Sequence, residues 1–187
     1  MVELANQYFN SIKSTLNNVE RPNIELVLNE LLKAYNNNRN IFIIGNGGSA
    51  ATASHFVCDL NKGVTYGVVK RFRAISLSDN VPSMMAYAND INYKSIFVEQ
   101  LKNFANEGDV VIGISSSGKS DNVIEAFKYA NMMNLITISF TGFAGGNLKP
   151  ISRINLNVPT NDIQIIEDCH SIICHMFMRM LIDKLKS

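Results

Sequence analysis

The fold is indicated by one stretch of sequence, IFIIGNGGS at residues 41–49. Its first four residues are apolar and rich in β-branched side chains, which is typical of a strand buried on both faces of a parallel sheet. The glycines that follow stop the strand in a tight turn, and a segment with helical spacing begins at Ser49. A strand, a glycine turn and a helix in this order predict one unit of an α/β fold.

The same order of elements recurs along the chain. Further strands are predicted near 72–77, 109–114, 135–140 and 153–158. Helices are predicted near 3–18, 23–37, 49–62, 80–88, 93–106, 120–133 and 162–186. Because strands alternate with helices, we expect parallel pairing and right-handed crossovers. The prediction is a single domain, residues 1–187, with a doubly wound five-stranded parallel sheet sandwiched by helices. The additional N-terminal helices, residues 1–38, would pack on this core and on an oligomer interface.

Composition and charge exclude several classes of protein. The chain has 187 residues, of which 47% are hydrophobic and 18% charged, as in an ordinary globular domain. A net charge of +1 without a long basic run gives no reason to expect nucleic acid or a membrane as partner. The N-terminal residues do not form a signal peptide, and three cysteines cannot all pair within one chain. These features predict a reducing, cytoplasmic location.

Two loops have the chemistry of a phosphate site. The first is residues 45–49, where glycines allow close backbone approach and a helix N-terminus offers free N–H groups. The second is SSSGKS at residues 115–120, four hydroxyls between a predicted strand and a helix. It lacks the leading glycine of a Walker A loop. Serines that cap helices and glycines that form turns are the alternative, but both loops would lie at one sheet edge, where ligands of parallel sheets bind.

Metal-ligand side chains occur in two helical segments. His55 and Asp59 are four residues apart and share a helix face, an arrangement common to two ligands of a divalent metal and to a surface ion pair. In the last helix, spacing alone favours Glu167, His170 and Cys174, because positions i, i+3 and i+7 share one face. The three cysteines, at 58, 169 and 174, are predicted to be small buried hydrophobes, with a Cys174 thiolate ligand as the alternative.

The motifs, taken in order along the chain, resemble those of the phosphoheptose isomerases, which are sugar isomerase (SIS) domain proteins. The residues that carry the resemblance are Gly45 to Ser49 with His55, Asn89-Asp90, Ser115 to Ser120, Thr141-Gly142 with Gly145-Gly146, and Glu167 to His175. The resemblance implies a flavodoxin-like sheet, a homotetramer with active sites between subunits, and a phosphosugar substrate. It also implies conversion of sedoheptulose 7-phosphate to D-glycero-D-manno-heptose 7-phosphate, the first step of heptose nucleotide synthesis for surface polysaccharide.

The resemblance also implies a role for each site residue. Ser115, Ser116, Ser117 and Ser120 would hold the phosphate, with Asn46, Gly47, Gly48 and Ser49 nearby, and Asn89 and Asp90 would contact the sugar. His55, Asp59, Glu167 and His175 would bind zinc, with Asp59 and Glu167 also beside the substrate. Asp59 and His175 would be the catalytic residues that transfer the protons.

Two positions depart from the best-known family pattern, which has Glu where this chain has Asp59 and Gln where it has Glu167. A second carboxylate predicts tighter metal binding and a less electrophilic metal. Three alternatives stay open: an isomerase of another phosphosugar, a non-enzymatic tetramer that binds a replication initiator, and a sugar-phosphate sensor. The initiator-binding relatives lack the catalytic carboxylate and the final histidine, whereas this chain has both. A sensor would be attached to a DNA-binding segment, and the sequence contains none.

Overall fold

The central sheet is formed by five parallel strands in the computed structural model, which describes residues 2–186. They are β1 (Asn40–Gly45), β2 (Arg73–Ser76), β3 (Val110–Ser115), β4 (Ile136–Gly142) and β5 (Ile154–Val158). Every residue from Ile41 to Gly45 is buried, as expected for a strand covered on both faces. The predicted α/β fold is confirmed. The predicted domain bounds include residues 1 and 187, which lie outside the described residues.

The strand order is β2-β1-β3-β4-β5, so the direction of winding reverses between β1 and β3. Residues 41–45 of β1 pair with residues 110–114 of β3. The loops that follow these two strands therefore leave the sheet side by side at its carboxyl edge. In open parallel sheets this reversal point is where ligands bind.

Helices cover both faces of the sheet. They are α1 (Val2–Asn17), α2 (Arg21–Asn36), α3 (Gly48–Cys58), α4 (Val81–Asp90), α5 (Val98–Phe104), α6 (Asp121–Met132) and α7 (Ile163–Lys186). Side chains of α2, α3 and α7 fill one apolar core with the sheet, and those of α5 and α6 fill the other. No helix among residues 2–186 is long and apolar enough to cross a membrane.

Two predicted helices differ from the observed ones. The segment predicted at 49–62 is an α-helix only to Cys58, and a π-helix continues it from Asp59 to Val64. The segment predicted at 93–106 is divided into a short 3-10 turn, Tyr93–Ser95, and helix α5. Apolar periodicity cannot distinguish these hydrogen-bonding patterns, because all of them repeat after three to five residues.

The two N-terminal helices, α1 and α2, contact α7 of the α/β core. Leu28 and Leu31 of α2 belong to the apolar core beneath α7. Tyr8 of α1 donates a hydrogen bond of 2.7 Å to the Asp168 carboxylate of α7. This hydrogen bond raises the pKa of the Tyr8 phenol to about 12. Helix α1 is thereby attached next to Glu167, one of the predicted site residues.

Candidate active site

The serine loop, residues 115–120, lines a cavity of about 230 Å³ together with Asn46, Ser49 and Glu167. The Ser115 and Ser120 hydroxyls lie 3.1 Å apart, and the Ser117 hydroxyl accepts a 3.2 Å bond from the Lys119 N–H. The buried Ser116 Oγ has no hydrogen-bond partner among the described residues. Buried hydroxyls are normally paired, so this free oxygen points to a ligand atom. Helix α6 begins at Asp121, directly after Ser120, so its N-terminus adjoins the same cavity.

The conformation of the serine loop depends on glycines in two parts of the chain. Gly118 has a positive φ of 63°, and a Cβ at this position would overlap the carbonyl oxygen of Gly145. The Gly142 N–H donates 2.9 Å to the Ser116 carbonyl, and the Leu148 N–H donates 2.9 Å to the Gly118 carbonyl. The turn after β4 therefore supports the loop after β3.

The glycine loop, residues 45–49, lies beside the serine loop. Gly47 has a φ of 54° and precedes the first residue of α3. The Asn46 side chain exchanges two hydrogen bonds with the Asn122 amide, at 2.9 and 2.8 Å, and accepts a third, at 3.1 Å, from the Tyr93 hydroxyl. Asn122 is buried in the first turn of α6. This amide pair joins the two loops, and sequence reasoning missed it because nothing in the sequence indicates that positions 46 and 122 meet.

Three side chains form a cluster at the far end of α3. The Nε2 atoms of His55 and His175 are 2.9 Å apart, and each is 3.7 Å from Asp59 Oδ2. Asp59 is buried, whereas both imidazoles are exposed. No hydrogen-bond partner for Oδ2 occurs among residues 2–186. Of the side chains in this range, these three form the one group whose metal-ligand atoms all lie within 4.8 Å of one another.

The geometry of this cluster fits a divalent metal ion. A point about 2 Å from all three ligand atoms lies between them, and this is the usual distance from zinc to nitrogen and to carboxylate oxygen. A buried carboxylate oxygen without a partner is costly unless a cation or donor meets it. Two imidazole nitrogens and one carboxylate are also a common ligand set of catalytic zinc sites, which keep a further position open.

Asp59 is placed one regular α-helical turn after His55, because its N–H bonds to the His55 carbonyl. A π-helix, in which hydrogen bonds join residues five apart, begins at Asp59. Single π-turns inserted in α-helices occur frequently at functional sites. The sequence indicates only that His55 and Asp59 share a face, and the tertiary packing of α3 on α7 adds His175.

Glu167 lies at the other end of the α3–α7 pair from His175. Its carboxylate lines the serine-loop cavity, and it approaches Gly48 so closely that a Cβ there would come within 2.8 Å of Oε2. Among the described residues, Glu167 does not belong to the group of side chains whose metal-ligand atoms lie within 4.8 Å of one another. Its position suits contact with substrate, and its role as a metal ligand stays a prediction.

The residues that spacing alone favours as metal ligands do not form a site. His170 is buried, its Nε2 lies 3.2 Å from the Thr141 carbonyl, and burial lowers its pKa to about 4, so the ring is neutral. Cys174 is also buried, and burial raises the pKa of its thiol well above the usual range, with the Asp59 charge adding to the effect. Cys169 is buried as predicted, and burial raises its pKa to about 11. Cys58 is exposed, so the prediction that all three are buried is wrong for this residue, which lies on the outer face of α3.

Asn89 and Asp90 end helix α4 and are exposed. The Asn89 amide donates 2.8 Å to the Asp90 carboxylate. Neither residue lines the serine-loop cavity within the described part of the chain. The chain next reaches Tyr93, whose hydroxyl bonds to Asn46, so the segment after α4 is attached to the glycine loop. Contact of Asn89 and Asp90 with a sugar stays a prediction.

Comparison with known proteins gives consistent results. Residues 7–142 match the family model described as "SIS domain". The chain is 40% identical over 165 residues to a probable phosphoheptose isomerase of Thermoplasma acidophilum, covering 87% of this chain and 90% of that protein. It is 38% identical over 147 residues to a phosphoheptose isomerase of Helicobacter pylori, covering 78% and 76%. The solved phosphoheptose isomerase from Neisseria gonorrhoeae superposes with a TM-score of 0.88, at 26% identity and 98% and 97% coverage.

Proposed function

The chain belongs to the SIS domain family and, within it, to the phosphoheptose isomerases, and we propose that it converts sedoheptulose 7-phosphate to D-glycero-D-manno-heptose 7-phosphate. One observation carries the proposal. The serine-loop cavity lies at one end of the α3–α7 pair, and the His55-Asp59-His175 cluster lies at the other. A phosphosugar bound with its phosphate on the serine loop would extend along these helices to the cluster.

The groove along α3 and α7, from the serine-loop cavity to the His55-Asp59-His175 cluster, has a length that favours a seven-carbon substrate. Glu167, at the serine-loop end, and His175 are eight residues apart, about 12 Å along the helix axis. An extended chain advances roughly 1.2 Å per bond, as in a peptide. Seven bonds separate the ketose carbonyl carbon from the phosphorus of a heptulose 7-phosphate, and five do so in a pentulose 5-phosphate. At this advance per bond the carbonyl-to-phosphorus distance is roughly 8 Å in the heptulose and roughly 6 Å in the pentulose. The longer molecule therefore comes closer to spanning the separation, with hydrogen bonds and ligand contacts covering the remainder.

The serine loop would bind and orient the substrate. The free Ser116 hydroxyl and the N-terminal N–H groups of α6 suit the oxygens of a phosphate dianion. Binding energy from this end, which does not react, holds the reacting carbons in position. The Asn46–Asn122 pair joins the glycine loop to the start of α6 and so helps to keep the two loops at a fixed separation. A phosphate held on one loop would then keep its position relative to the sugar beside the other.

The reaction moves one proton between neighbouring carbons. The Asp59 carboxylate would remove a proton from C1 of the ketose, which yields an enediol, and a proton is then returned at C2 to give the aldose. His175 would act as the acid partner and move a proton from the C1 hydroxyl to the C2 oxygen, so that atoms and charge balance over the cycle. A divalent ion bound by His55, Asp59 and His175 would supply Lewis-acid stabilisation of the negative charge that develops on oxygen.

Zinc is the ion that we propose, with Glu167 as a fourth ligand or as a contact of the substrate. The two imidazoles and one carboxylate of the cluster are its preferred donors. The cytoplasmic location and the place of the reaction in heptose nucleotide synthesis are further parts of the proposal.

The proposal includes a homotetramer with active sites between subunits. Leu4 and Phe9 of α1 and Leu26 of α2 are exposed, although large apolar side chains are stabilised by burial. A largely apolar cavity of about 440 Å³ between α2 and α7 includes Leu28 and Met176. A partner copy would cover these residues. Light scattering of the purified protein tests this part of the proposal.

The central experiment supplies sedoheptulose 7-phosphate to the purified protein and follows aldose formation, with metal analysis of the same sample. A panel of ketose phosphates with five, six and seven carbons is measured in parallel. We expect the highest kcat/KM for the seven-carbon ketose. Turnover of a shorter ketose alone would assign the protein to another phosphosugar, and no turnover of any member would overturn the proposal.

A further inference from the structure

Helices α3 and α7 contact each other at three successive levels between the serine loop and the cluster. Gly48 meets Glu167 at the first level, and His55 meets His175 at the third. Between them the Thr52 Oγ1 and Ser171 Oγ atoms lie 3.4 Å apart. Ser171 is four residues from Glu167 and from His175, so this hydroxyl pair is about 6 Å along the axis from each end of the groove.

Both hydroxyls keep lone pairs available for a ligand. The Thr52 hydroxyl donates 3.2 Å to the Gly48 carbonyl, and the Ser171 hydroxyl donates 3.2 Å to the Glu167 carbonyl. Each hydroxyl has a single hydrogen, and both hydrogens are directed to carbonyls, so the two neighbouring oxygens are left mainly as acceptors for a ligand. The hydroxyls of a sugar are donors that complement such a pair of acceptors.

Hydroxyls that bond to a carbonyl four residues earlier often serve only their own helix. Two observations distinguish Thr52 and Ser171 from that case. They approach each other from different helices, and both line one cavity of about 320 Å³ that also includes His55. Thr52 is half-buried and Ser171 is exposed, so a molecule that enters the groove can reach both.

We propose that Thr52 and Ser171 determine substrate specificity by binding a hydroxyl group in the middle of the phosphosugar chain. The inference rests on the proposed function, since it assumes a substrate that extends from the serine loop to the cluster. A hydroxyl on C4 or C5 of a seven-carbon ketose phosphate would lie at the level of this pair. Neither residue touches the reacting carbons, so their contribution is to recognise and align the chain.

The experiment compares wild type with Thr52→Val, Ser171→Ala and the double variant. Each protein is assayed with sedoheptulose 7-phosphate and with its 4-deoxy and 5-deoxy analogues. For wild type we expect one deoxy analogue to have a kcat/KM lower by roughly tenfold, the usual effect of one lost hydrogen bond, mainly through KM. The double variant should lose a similar factor on sedoheptulose 7-phosphate and should no longer distinguish it from that analogue. Thr52→Ser and Ser171→Thr keep the hydroxyls and should retain the distinction.

Ser11→Ala is the matched control, because Ser11 makes the same kind of bond, 2.9 Å to the Gln7 carbonyl, on the remote helix α1. Zinc content and melting temperature are measured for every variant. Unchanged kcat/KM in the double variant would overturn the inference, and so would a loss of zinc or folding that explains the loss of activity. Absence of turnover by wild type on every substrate would instead overturn the proposed function.

Discussion

The Nε2 atoms of His55 and His175 lie 2.9 Å apart, although the two residues are separated by 120 positions in the chain. Their rings meet edge to face, with centroids 5.0 Å apart. Asp59 Oδ2 lies 3.7 Å from both nitrogens, buried beneath them. The proposed chemistry therefore depends on the packing of α3 against α7.

Asp59→Asn removes the carboxylate that we assign as the base. We expect kcat to fall by roughly 10²- to 10⁴-fold, because an amide cannot accept the proton. The rate of aldose formation is the measurement. Glu99→Gln is the control, since Glu99 is on the surface and pairs with Lys102. A rate equal to that of wild type would exclude Asp59 from the chemistry.

His55→Ala and His175→Ala each remove one imidazole from the group of three candidate ligands. We expect the zinc content of purified protein, measured by elemental analysis, to fall well below one ion per chain. Cys174→Ala should keep its zinc, because the thiol is outside the group of three ligands. If zinc followed Cys174 instead of the histidines, the ligand assignment would be wrong.

Ser116→Ala removes the buried hydroxyl that has no partner among the described residues. Because hydrogen bonds to charged groups contribute about 1.5–3 kcal/mol, we expect KM to rise by roughly tenfold or more with a smaller change in kcat. Folding stability should change little, since no hydrogen bond within the described residues is lost. Competition by inorganic phosphate should weaken in parallel, and Ser116→Thr should restore part of the affinity. An unchanged KM would contradict the phosphate assignment.

Gly118→Ala tests the support beneath the serine loop. A non-glycine residue at φ 63° costs about 1–2 kcal/mol, and here the added Cβ also overlaps the Gly145 carbonyl. Gly67→Ala is a matched control, because Gly67 has a φ of 82° but nothing within 4 Å of the added atom. We expect both variants to be less stable in urea unfolding, with only Gly118→Ala also losing phosphosugar affinity. Equal effects of the two changes would mean that the contact with Gly145 is unimportant.

His170 should make stability depend on pH. Burial lowers its pKa in the folded protein to about 4, from an ordinary value of 6.5. Below pH 6.5 the unfolded chain binds a proton at this residue and the folded chain does not, so stability decreases as pH falls, until the folded form also protonates near pH 4. The full effect is about 3 kcal/mol. The free energy of unfolding, measured in urea between pH 4 and 7, should depend less steeply on pH in His170→Gln than in wild type. Glutamine keeps a donor for the Thr141 carbonyl. An identical slope would contradict this assignment.

Much of the fold was predictable because it follows from local patterns. The buried run Ile41 to Ile44, followed by glycines, identifies strand β1, and the repeated alternation of strand and helix segments identifies the parallel sheet. Parallel strands place all their carboxyl ends at one edge, so the meeting of the glycine and serine loops follows from topology. The sequence by itself therefore determined the class of fold and the meeting of the two loops that form the candidate phosphate site.

Tertiary structure decided which side chains form the candidate metal site. Along α7 alone, Glu167, His170 and Cys174 share a face, and helical geometry contains no reason to prefer His175. Packing against the sheet directs His170 and Cys174 into the apolar core, where burial keeps both uncharged. The same packing leaves His175 on the side that faces α3, where it meets His55 and Asp59. Local periodicity determines which residues share a face, but which face meets a neighbouring helix depends on burial of the whole apolar surface.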